Sequence, residues 1–293
     1  MSELKQIECP RDAMQGIHTF IPTDVKVRYL NELLKVGFDT IDIGSFVSAK
    51  AIPQLADTAE VLSRIDLSGS RSKLLVIVAN ERGAEDACKQ ETVAYLGYPF
   101  SISETFQQRN TNTSIEGSWA RTAHIAEKAR GANKELVVYI SMAFGNPYGD
   151  PWNADIALQW TDRLVNELGV RIISLADTVG VAAPADVEAM FAALISAWPR
   201  SPGQRTGVEF GAHLPARKDN WQPKTDAAWR AGCRRFDHAI AGYGGCPMAE
   251  DDLVGNLTTE LFVQQLESRG EQTGLDLEQL VRCVRLAGEV FPA

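Results

Sequence analysis

The sequence is short of histidine, of closely spaced cysteines and of positive charge. Its 293 residues include 4 histidines, and its 5 cysteines, at positions 9, 88, 233, 246 and 283, form no CxxC pair. An odd, scattered set of cysteines indicates free thiols in a reducing compartment rather than a disulfide framework. Lysine and arginine number 29 against 38 aspartate and glutamate, a net charge of −9. Because duplex binding depends on phosphate neutralisation by basic residues, this balance argues against a nucleic-acid partner.

Long apolar runs are also missing, and a membrane-spanning helix needs about 20 apolar residues. The first ten residues, MSELKQIECP, lack the apolar core of a signal peptide. We therefore expect a cytoplasmic protein with no membrane partner. An anionic small molecule remains a suitable substrate, because a metal ion or a few basic side chains can supply positive charge locally.

Eight short runs rich in β-branched residues alternate with longer amphipathic segments. The runs are 5–9, 39–44, 73–79, 92–98, 135–143, 171–176, 207–213 and 234–241. The amphipathic segments are 23–37, 114–131, 153–168, 184–197, 223–232 and 255–268. Strands that alternate with helices predict parallel βαβ units, and eight such units close a (β/α)₈ TIM barrel.

A doubly wound open sheet is the main alternative to the barrel. That fold favours a glycine-rich phosphate loop after the first strand, and CPRDAMQ at 9–15 is not one. The chain has no low-complexity linker and no shift in composition, so we expect one domain over 1–293. The amphipathic segment 275–290 predicts an extra C-terminal helix on the outside or the base of the barrel.

Polar residues cluster where the predicted strands end, which is where a TIM barrel carries its active site. They are Arg11 and Asp12, Asp42 and Ser45, Ser103 and Glu104, Asn146, Asp177 and Thr178, His213, and the glycine-rich loop 242–247. Helix capping and turn formation explain single residues of this kind about equally well. Their shared position at one end of the barrel favours a common site.

Asp12, His213 and Asn256 offer a carboxylate, an imidazole and an amide. Such oxygen and nitrogen donors suit Mg²⁺ or Mn²⁺ better than a metal that prefers thiolates. Taken singly, Asp12 also suits a turn or an ion pair, Asn256 a helix start, and His213 a packed position in the core. Spacing alone leaves both interpretations open.

Seven stretches in order resemble the 3-hydroxy-3-methylglutaryl-CoA lyase family of metal-dependent TIM-barrel lyases. They are CPRDAMQ (9–15), IDIGSFVSAKAIPQLAD (41–57), NTNTSIEGS (110–118), ISMAFGNPYG (140–149), ISLADTVGVAAP (173–184), GAH (211–213) and AGYGGCPMAEDDLVGNLTTEL (241–261). The resemblance covers nearly the whole chain.

This resemblance implies a retro-Claisen cleavage of an acyl-CoA into acetyl-CoA and acetoacetate. The divalent cation, Mg²⁺ or Mn²⁺, is expected to bind Asp12, a histidine pair and Asn256. Arg11 is expected to stabilise the developing enolate oxygen, and Cys246 to protonate the enolate carbon when its loop closes.

The family motifs imply further roles around these groups. Asp42 and Asp177 match acidic positions that orient substrate and metal water, although relatives usually carry the longer glutamate at 42. Gln15 is expected to bind an acyl oxygen. Ser45 and Lys50 match contacts to coenzyme A, and Lys50 fits an ordinary surface lysine equally well. Homodimers are common among such lyases.

The resemblance fails at one metal position. The family strand reads His-x-His, whereas this chain reads Gly211-Ala212-His213. His238, on the next predicted strand, is a candidate replacement ligand; otherwise it packs against the barrel wall. Three alternatives follow: the usual site with a substitute ligand, a lyase or Claisen-type condensing enzyme for another 3-hydroxyacyl-CoA or hydroxy acid, or a barrel that binds a metabolite without turnover.

Overall fold

The computed structural model describes residues 3–199, 207–215, 220–244 and 254–291. Eight parallel strands close into a barrel in chain order, which confirms the TIM barrel. The strands are β1 Lys5–Glu8, β2 Thr40–Ser45, β3 Lys73–Ile77, β4 Val93–Ser101, β5 Glu135–Ser141, β6 Ile172–Ala176, β7 Glu209–His213 and β8 Arg235–His238. Each predicted run overlaps one strand.

Helices separate the strands within the described ranges. They are α1 Pro10–Gln15, α2 Thr23–Leu33, α3 Thr58–Arg64, α4 Glu81–Cys88, α5 Glu104–Thr111, α6 Ile115–Gly131, α7 Ala154–Asn166, α8 Pro184–Ala197, α9 Trp221–Arg230, α10 Thr259–Ser268 and α11 Leu277–Val290. All the predicted helices are confirmed. The unpredicted α1, α3, α4 and α5 have 6, 7, 8 and 8 residues, too few for the helical period to stand out from the sequence.

The C-terminal helix α11 packs on the outer side of the barrel, against α2. The backbone N–H of Asp276 donates to the carbonyl of Val36 at 2.8 Å. Beyond the helix, the ring of Phe291 lies 5.6 Å from that of Tyr29 and 4.8 Å from that of Tyr243. The helix therefore covers the barrel wall near the strand that precedes the glycine-rich loop.

Composition predicted free thiols and no membrane span. Cys9, Cys88, Cys233 and Cys283, the cysteines that the structure describes, are free. None of the helices within the described ranges combines the length and the apolar character needed to cross a bilayer.

The register of β7, β8 and β1 decides which side chains enter the barrel. His213 pairs with Asp237 across β7 and β8, and Asp237 pairs with Ile7 across β8 and β1. Successive side chains of a strand point to opposite faces. Asp237 faces the interior with His213, so the next residue, His238, faces the helices.

The missing histidine at position 211 has left no hole. A Cβ added to Gly211 would lie 2.9 Å from the Oγ of Ser174 and 3.0 Å from the Cδ of Arg235. Arg235 is fully buried, and its Nη1 donates to Glu209 at 2.9 Å. The arginine stem therefore occupies the space beside the glycine, and the buried pair with Glu209 holds it there.

We predict that Gly211→Ala destabilises the barrel by about 1–3 kcal/mol, because the added methyl group overpacks against an arginine that its ion pair restrains. The free energy of unfolding from urea titration measures the effect. Gly131→Ala is the matched control, since a Cβ there meets no atom within 4 Å. Equal stability of the two variants would show that the Arg235 side chain moves aside at little energetic cost.

Candidate active site

A cavity of about 360 Å³ opens at the carboxyl ends of the strands, a size typical of small-molecule sites. Polar, charged and apolar residues all line it. The polar and charged ones include Arg11, Asp12, Gln15, Asp42, His213 and Asp237. The apolar ones include Val47, Ala51, Ile52, Ile77, Ala79 and Phe106.

Arg11 joins the ends of β1 and β2. Helix α1 starts directly after β1, with Pro10 in its first turn, where proline needs no hydrogen-bond partner. The turn places Arg11 beside Asp12 and Gln15, which accept from Nη1 at 3.0 and 2.8 Å. Nε and Nη2 both donate to Oδ2 of Asp42, at 3.0 and 2.6 Å. One guanidinium thus fixes three polar side chains.

Asp12 and Asn256 meet although 244 positions separate them in the chain. The Nδ2 of Asn256 donates to Oδ2 of Asp12 at 2.5 Å and to the carbonyl of Tyr243 at 2.9 Å. On its other oxygen, Asp12 accepts from Gln15 at 2.5 Å. The structure therefore brings two of the expected metal ligands together at the end of β1.

The third expected ligand, His213, lies at the end of β7 and lines the same cavity. Its Nδ1 is 3.3 Å from Oδ2 of Asp237, and the Tyr139 ring packs edge-on at 6.0 Å. Burial lowers the pKa of His213, but the interaction with the neighbouring Asp237 carboxylate outweighs burial and raises the pKa overall. With Nδ1 turned to Asp237, Nε2 is the nitrogen left for a ligand.

These donors fit a divalent ion. Among the described residues, no three His, Cys, Asp or Glu side chains form a metal cluster by themselves, so the amide of Asn256 completes the set. Asp237 is only 3% exposed; its Oδ2 lies beside Nδ1 of His213, and its Oδ1 has no hydrogen-bond partner in the described structure. A buried carboxylate oxygen without a donor indicates a bound ion or water nearby, and oxygen-rich sites prefer Mg²⁺ or Mn²⁺.

The surroundings of Asp42 in the cavity raise the pKa of its carboxyl group. It is 1% exposed, and its Oδ1 has no hydrogen-bond partner among the described residues. Burial raises its pKa to about 6, while the charge of Arg11 and the hydrogen bond from it oppose that rise. A group with this pKa can exchange a proton near neutral pH.

Comparison with known proteins identifies the family. A model of the HMGL-like family matches residues 8–286. The chain is 32% identical to rat cytoplasmic 3-hydroxy-3-methylglutaryl-CoA lyase over 275 residues, which is 93% of this chain and 76% of the rat protein. It is 31% identical over 282 residues to the hydroxymethylglutaryl-CoA lyase YngG of Bacillus subtilis, covering 94% and 89% of the two chains. The chain belongs to the HMGL-like family.

Solved HMG-CoA lyases share the whole fold. The Acinetobacter baumannii enzyme, in complex with coenzyme A and 3-methylmalate, superposes with a TM-score of 0.89 at 31% identity, covering 99% of this chain and 91% of its own. The Bacillus subtilis enzyme gives 0.88 at 30% identity, with 99% and 94% covered. This HMGL-like chain is accordingly a carbon–carbon lyase, and the alternative of a barrel without turnover is set aside.

Asp177, a family position, does not line the cavity. It is 1% exposed, and its carboxylate accepts from the backbone N–H groups of Val181 and Ala182 at 2.9 and 3.1 Å. Lys224 donates to it at 2.7 Å in a buried ion pair. Its neighbour Thr178 reaches the cavity instead, so Asp177 holds the loop that carries Thr178.

The two expected coenzyme A contacts differ in their surroundings. Ser45 is buried, and its Oγ accepts from the backbone N–H of Val47 at 3.1 Å, which shapes the turn after β2. Lys50 is exposed beside Ala51, which lines the cavity. Cys246, the expected proton donor, lies outside the described residues.

The suggestion that His238 replaces the missing ligand is wrong. It is fully buried on the outer face of β8, where its Nδ1 lies 3.1 Å from Glu8 and 2.9 Å from the Oγ of Thr259. The rings of Phe38 and Phe262 pack against it. Strand alternation turns this side chain away from the cavity and turns Asp237 into it.

Sequence reasoning missed Asp237, Tyr139, Ser141 and Asn110, all of which line the cavity. Because Asp237 and His238 are adjacent in a strand, one of them must face inward, but the sequence does not show which one. The tyrosine and the serine lie in an apolar run, where the inner face of the strand cannot be recognised.

We predict that Asp42 makes stability fall as pH rises from about 4 to about 6. Its pKa is raised to about 6 in the folded chain, against about 3.9 when unfolded. Between these values the folded state binds more protons, so raising the pH favours unfolding. Asp42→Asn removes this contribution, and urea titrations at pH 4.5 and 7 measure the difference between the two proteins. If the stability of wild type relative to Asp42→Asn instead rose with pH, this would show that Arg11 keeps Asp42 ionised in the folded chain.

Proposed function

We propose that this chain cleaves 3-hydroxy-3-methylglutaryl-CoA to acetyl-CoA and acetoacetate with the help of Mg²⁺ or Mn²⁺. The observation that carries the proposal is the Arg11 cluster in the cavity, in which Asp12, Gln15 and Asp42 surround one partly buried guanidinium. Asp12, His213 and Asn256 would hold the ion. When bound, the ion supplies a Lewis acid that lowers the pKa of the substrate hydroxyl.

Asp42 is the base that we assign to the hydroxyl proton. Its Oδ2 is held by Arg11, whereas its Oδ1 has no partner in the described structure. The proton passes to this oxygen, the hydroxyl carbon becomes a ketone, and the adjacent carbon–carbon bond breaks. The bonding electrons pass to the thioester, which leaves as an enolate.

Arg11 is placed to receive the enolate oxygen. A guanidinium has five N–H groups, and the four bonds to Asp42, Asp12 and Gln15 leave one N–H on Nη2. A charge-assisted hydrogen bond from this group would stabilise charge that develops during cleavage. Gln15 is the nearby candidate for binding an acyl oxygen.

The reaction ends with protonation of the enolate carbon, which gives acetyl-CoA. We assign this step to Cys246, two residues after Gly244. A Cβ at Gly244 would come within 2.5 Å of Asn256 and 2.9 Å of the Asp12 carbonyl, so the described end of this loop lies directly against two of the proposed metal ligands.

For the coenzyme A portion, we propose Lys50 as a phosphate contact at the cavity rim and Ser45 as a residue that shapes the turn leading to it. The solved Acinetobacter baumannii relative contains coenzyme A, which supports an acyl-CoA substrate here. Asp177 is proposed to position Thr178. A cytoplasmic location and a homodimer remain predictions from the sequence.

A second substrate is favoured by the apolar residues in the cavity lining. Val47, Ile52, Ile77 and Phe106 line it together with the charged groups. Such apolar lining suits an apolar branch larger than methyl on the hydroxyl-bearing carbon. A 3-hydroxyacyl-CoA with such a branch would undergo the same cleavage.

We predict that purified enzyme with Mn²⁺ releases acetyl-CoA from 3-hydroxy-3-methylglutaryl-CoA. Arg11→Lys should lower kcat by about 10²–10³-fold, since an ammonium cannot hold Asp42 and donate to the enolate together. Coupled detection of acetyl-CoA measures the rate.

Arg64→Lys, which changes an arginine on the exposed surface, is the matched control and should keep full activity. Turnover of only the larger branched 3-hydroxyacyl-CoA would support the second substrate. Equal rates for Arg11→Lys and wild type would contradict the role given to Arg11.

A further inference from the structure

Asp237 and His213 face each other across two neighbouring strands. The register pairs His213 of β7 with Asp237 of β8, so both side chains leave the sheet on the same face and at the same height. Both line the cavity, and Nδ1 of His213 lies 3.3 Å from Oδ2 of Asp237. The carboxylate therefore stands beside one nitrogen of the ring, whereas the proposed metal site needs the other.

A neutral imidazole binds an ion only through the nitrogen that carries no proton. Nδ1 of His213 is buried, and apart from Asp237 it has no candidate partner among the described residues. The His213 side chain as a whole is 18% exposed, so the ring reaches the cavity with atoms other than Nδ1. A proton on Nδ1, beside the negative carboxylate, leaves the lone pair of Nε2 free for an ion.

Asp237 lacks the structural contacts of other buried carboxylates in the barrel. Asp177 accepts from the backbone N–H groups of the loop that follows it, and Glu8 accepts from a backbone N–H and a hydroxyl. The Asp237 side chain is 1% exposed, and the His213 ring is the only basic group within 4 Å of it in the described parts of the chain. Burying a carboxylate without a partner is unfavourable, so its charge acts on His213.

Packing limits how the His213 ring lies but does not choose its tautomer. The Tyr139 ring meets the imidazole edge-on, with 6.0 Å between centroids and 82° between planes. A half-turn of the imidazole about its bond to Cβ would exchange Nδ1 for a carbon of similar size, and packing alone distinguishes the two orientations poorly. The negative charge of Asp237 favours the orientation that places an N–H group beside it.

We propose that Asp237 is a positioning residue for the metal site. Its carboxylate keeps the proton of His213 on Nδ1 and turns Nε2 toward the ion that Asp12 and Asn256 also bind. This role rests on the proposed function, which supplies the ion. A carboxylate behind a histidine ligand fixes the ring and strengthens the binding of the metal.

The tautomer of His213 in the metal-free chain tests this role without reference to turnover. Long-range proton–nitrogen correlation spectra of protein with isotope-labelled histidine distinguish a proton on Nδ1 from one on Nε2, at a pH where the rings are neutral. The chain has 4 histidines, and His213→Gln removes and thereby assigns one set of signals. Wild type should carry the proton of His213 on Nδ1. A proton on Nε2 would overturn the proposal.

Asp237→Asn keeps the shape of the side chain but removes its charge. The amide group can donate to Nδ1, which moves the proton to Nε2, as happens when an amide replaces the carboxylate that orients a catalytic histidine. The His213 tautomer should therefore shift toward Nε2–H. The Kd for Mn²⁺ should rise at least about 10-fold, measured by titrating chelator-treated protein and following free Mn²⁺ by electron paramagnetic resonance.

Glu81→Gln is the matched control, because Glu81 lies 3.2 Å from Nδ1 of His124 on the exposed surface. It should change neither the His213 tautomer nor the Kd, and circular dichroism checks that both variants fold. A higher Kd in Asp237→Asn without a change of tautomer would overturn the proposal, since a merely structural effect gives that result. An unchanged Kd would also overturn it and leave the proposed function standing. Absence of Mn²⁺ binding by wild type would overturn both.

Discussion

The register of β7, β8 and β1 is the constraint on which the site depends. It sets His213 level with Asp237 and Asp237 level with Ile7, and strand alternation then decides what enters the cavity. A shift of one residue in β8 would exchange Asp237 for His238 inside the barrel. The buried pair of Glu8 and His238 on the outer face opposes such a shift, because the shift would break the contacts of Glu8 with His238 and Thr259. The outer pair therefore stabilises the arrangement of the inner one.

The packing beside Gly211 explains how the barrel accommodates a glycine at this position. Gly211 gives up a side chain, and Arg235 fills the space and pairs with Glu209. On the cavity side of β7, the imidazole of His213 remains and lies beside the carboxylate of Asp237. Arg11 organises another part of the site, because it ties Asp12, Gln15 and Asp42 into one cluster. The proposed chemistry needs this cluster for proton removal and for stabilising the enolate, whichever group completes the metal site.

The strand and helix order was readable from the sequence because hydrophobic periodicity and turn residues recur eight times along the chain. The meeting of Asp12 with Asn256 also followed from the sequence, because the family resemblance assigned both side chains to one metal ion. The sequence did not predict which residues of β8 face the cavity. Arg-Phe-Asp-His contains polar residues in both alternating positions, so periodicity favours neither face. Asp177 was misleading for a different reason. Its motif is polar and follows a strand, yet its carboxylate turns to backbone N–H groups and Lys224. The space beside Gly211 is filled by Arg235 of the neighbouring strand β8. Such a contact between strands cannot be predicted from the local sequence around Gly211.

The proposed function needs a divalent ion held by Asp12, His213 and Asn256, and a crystal grown with Mn²⁺ tests this most directly. An anomalous difference map at the manganese edge should show one strong peak in the cavity. We expect bonds of about 2.0–2.6 Å from this peak to a carboxylate oxygen of Asp12, to the imidazole of His213 and to the amide oxygen of Asn256. A peak away from these three side chains would contradict the proposed site, as would a cavity without any anomalous signal.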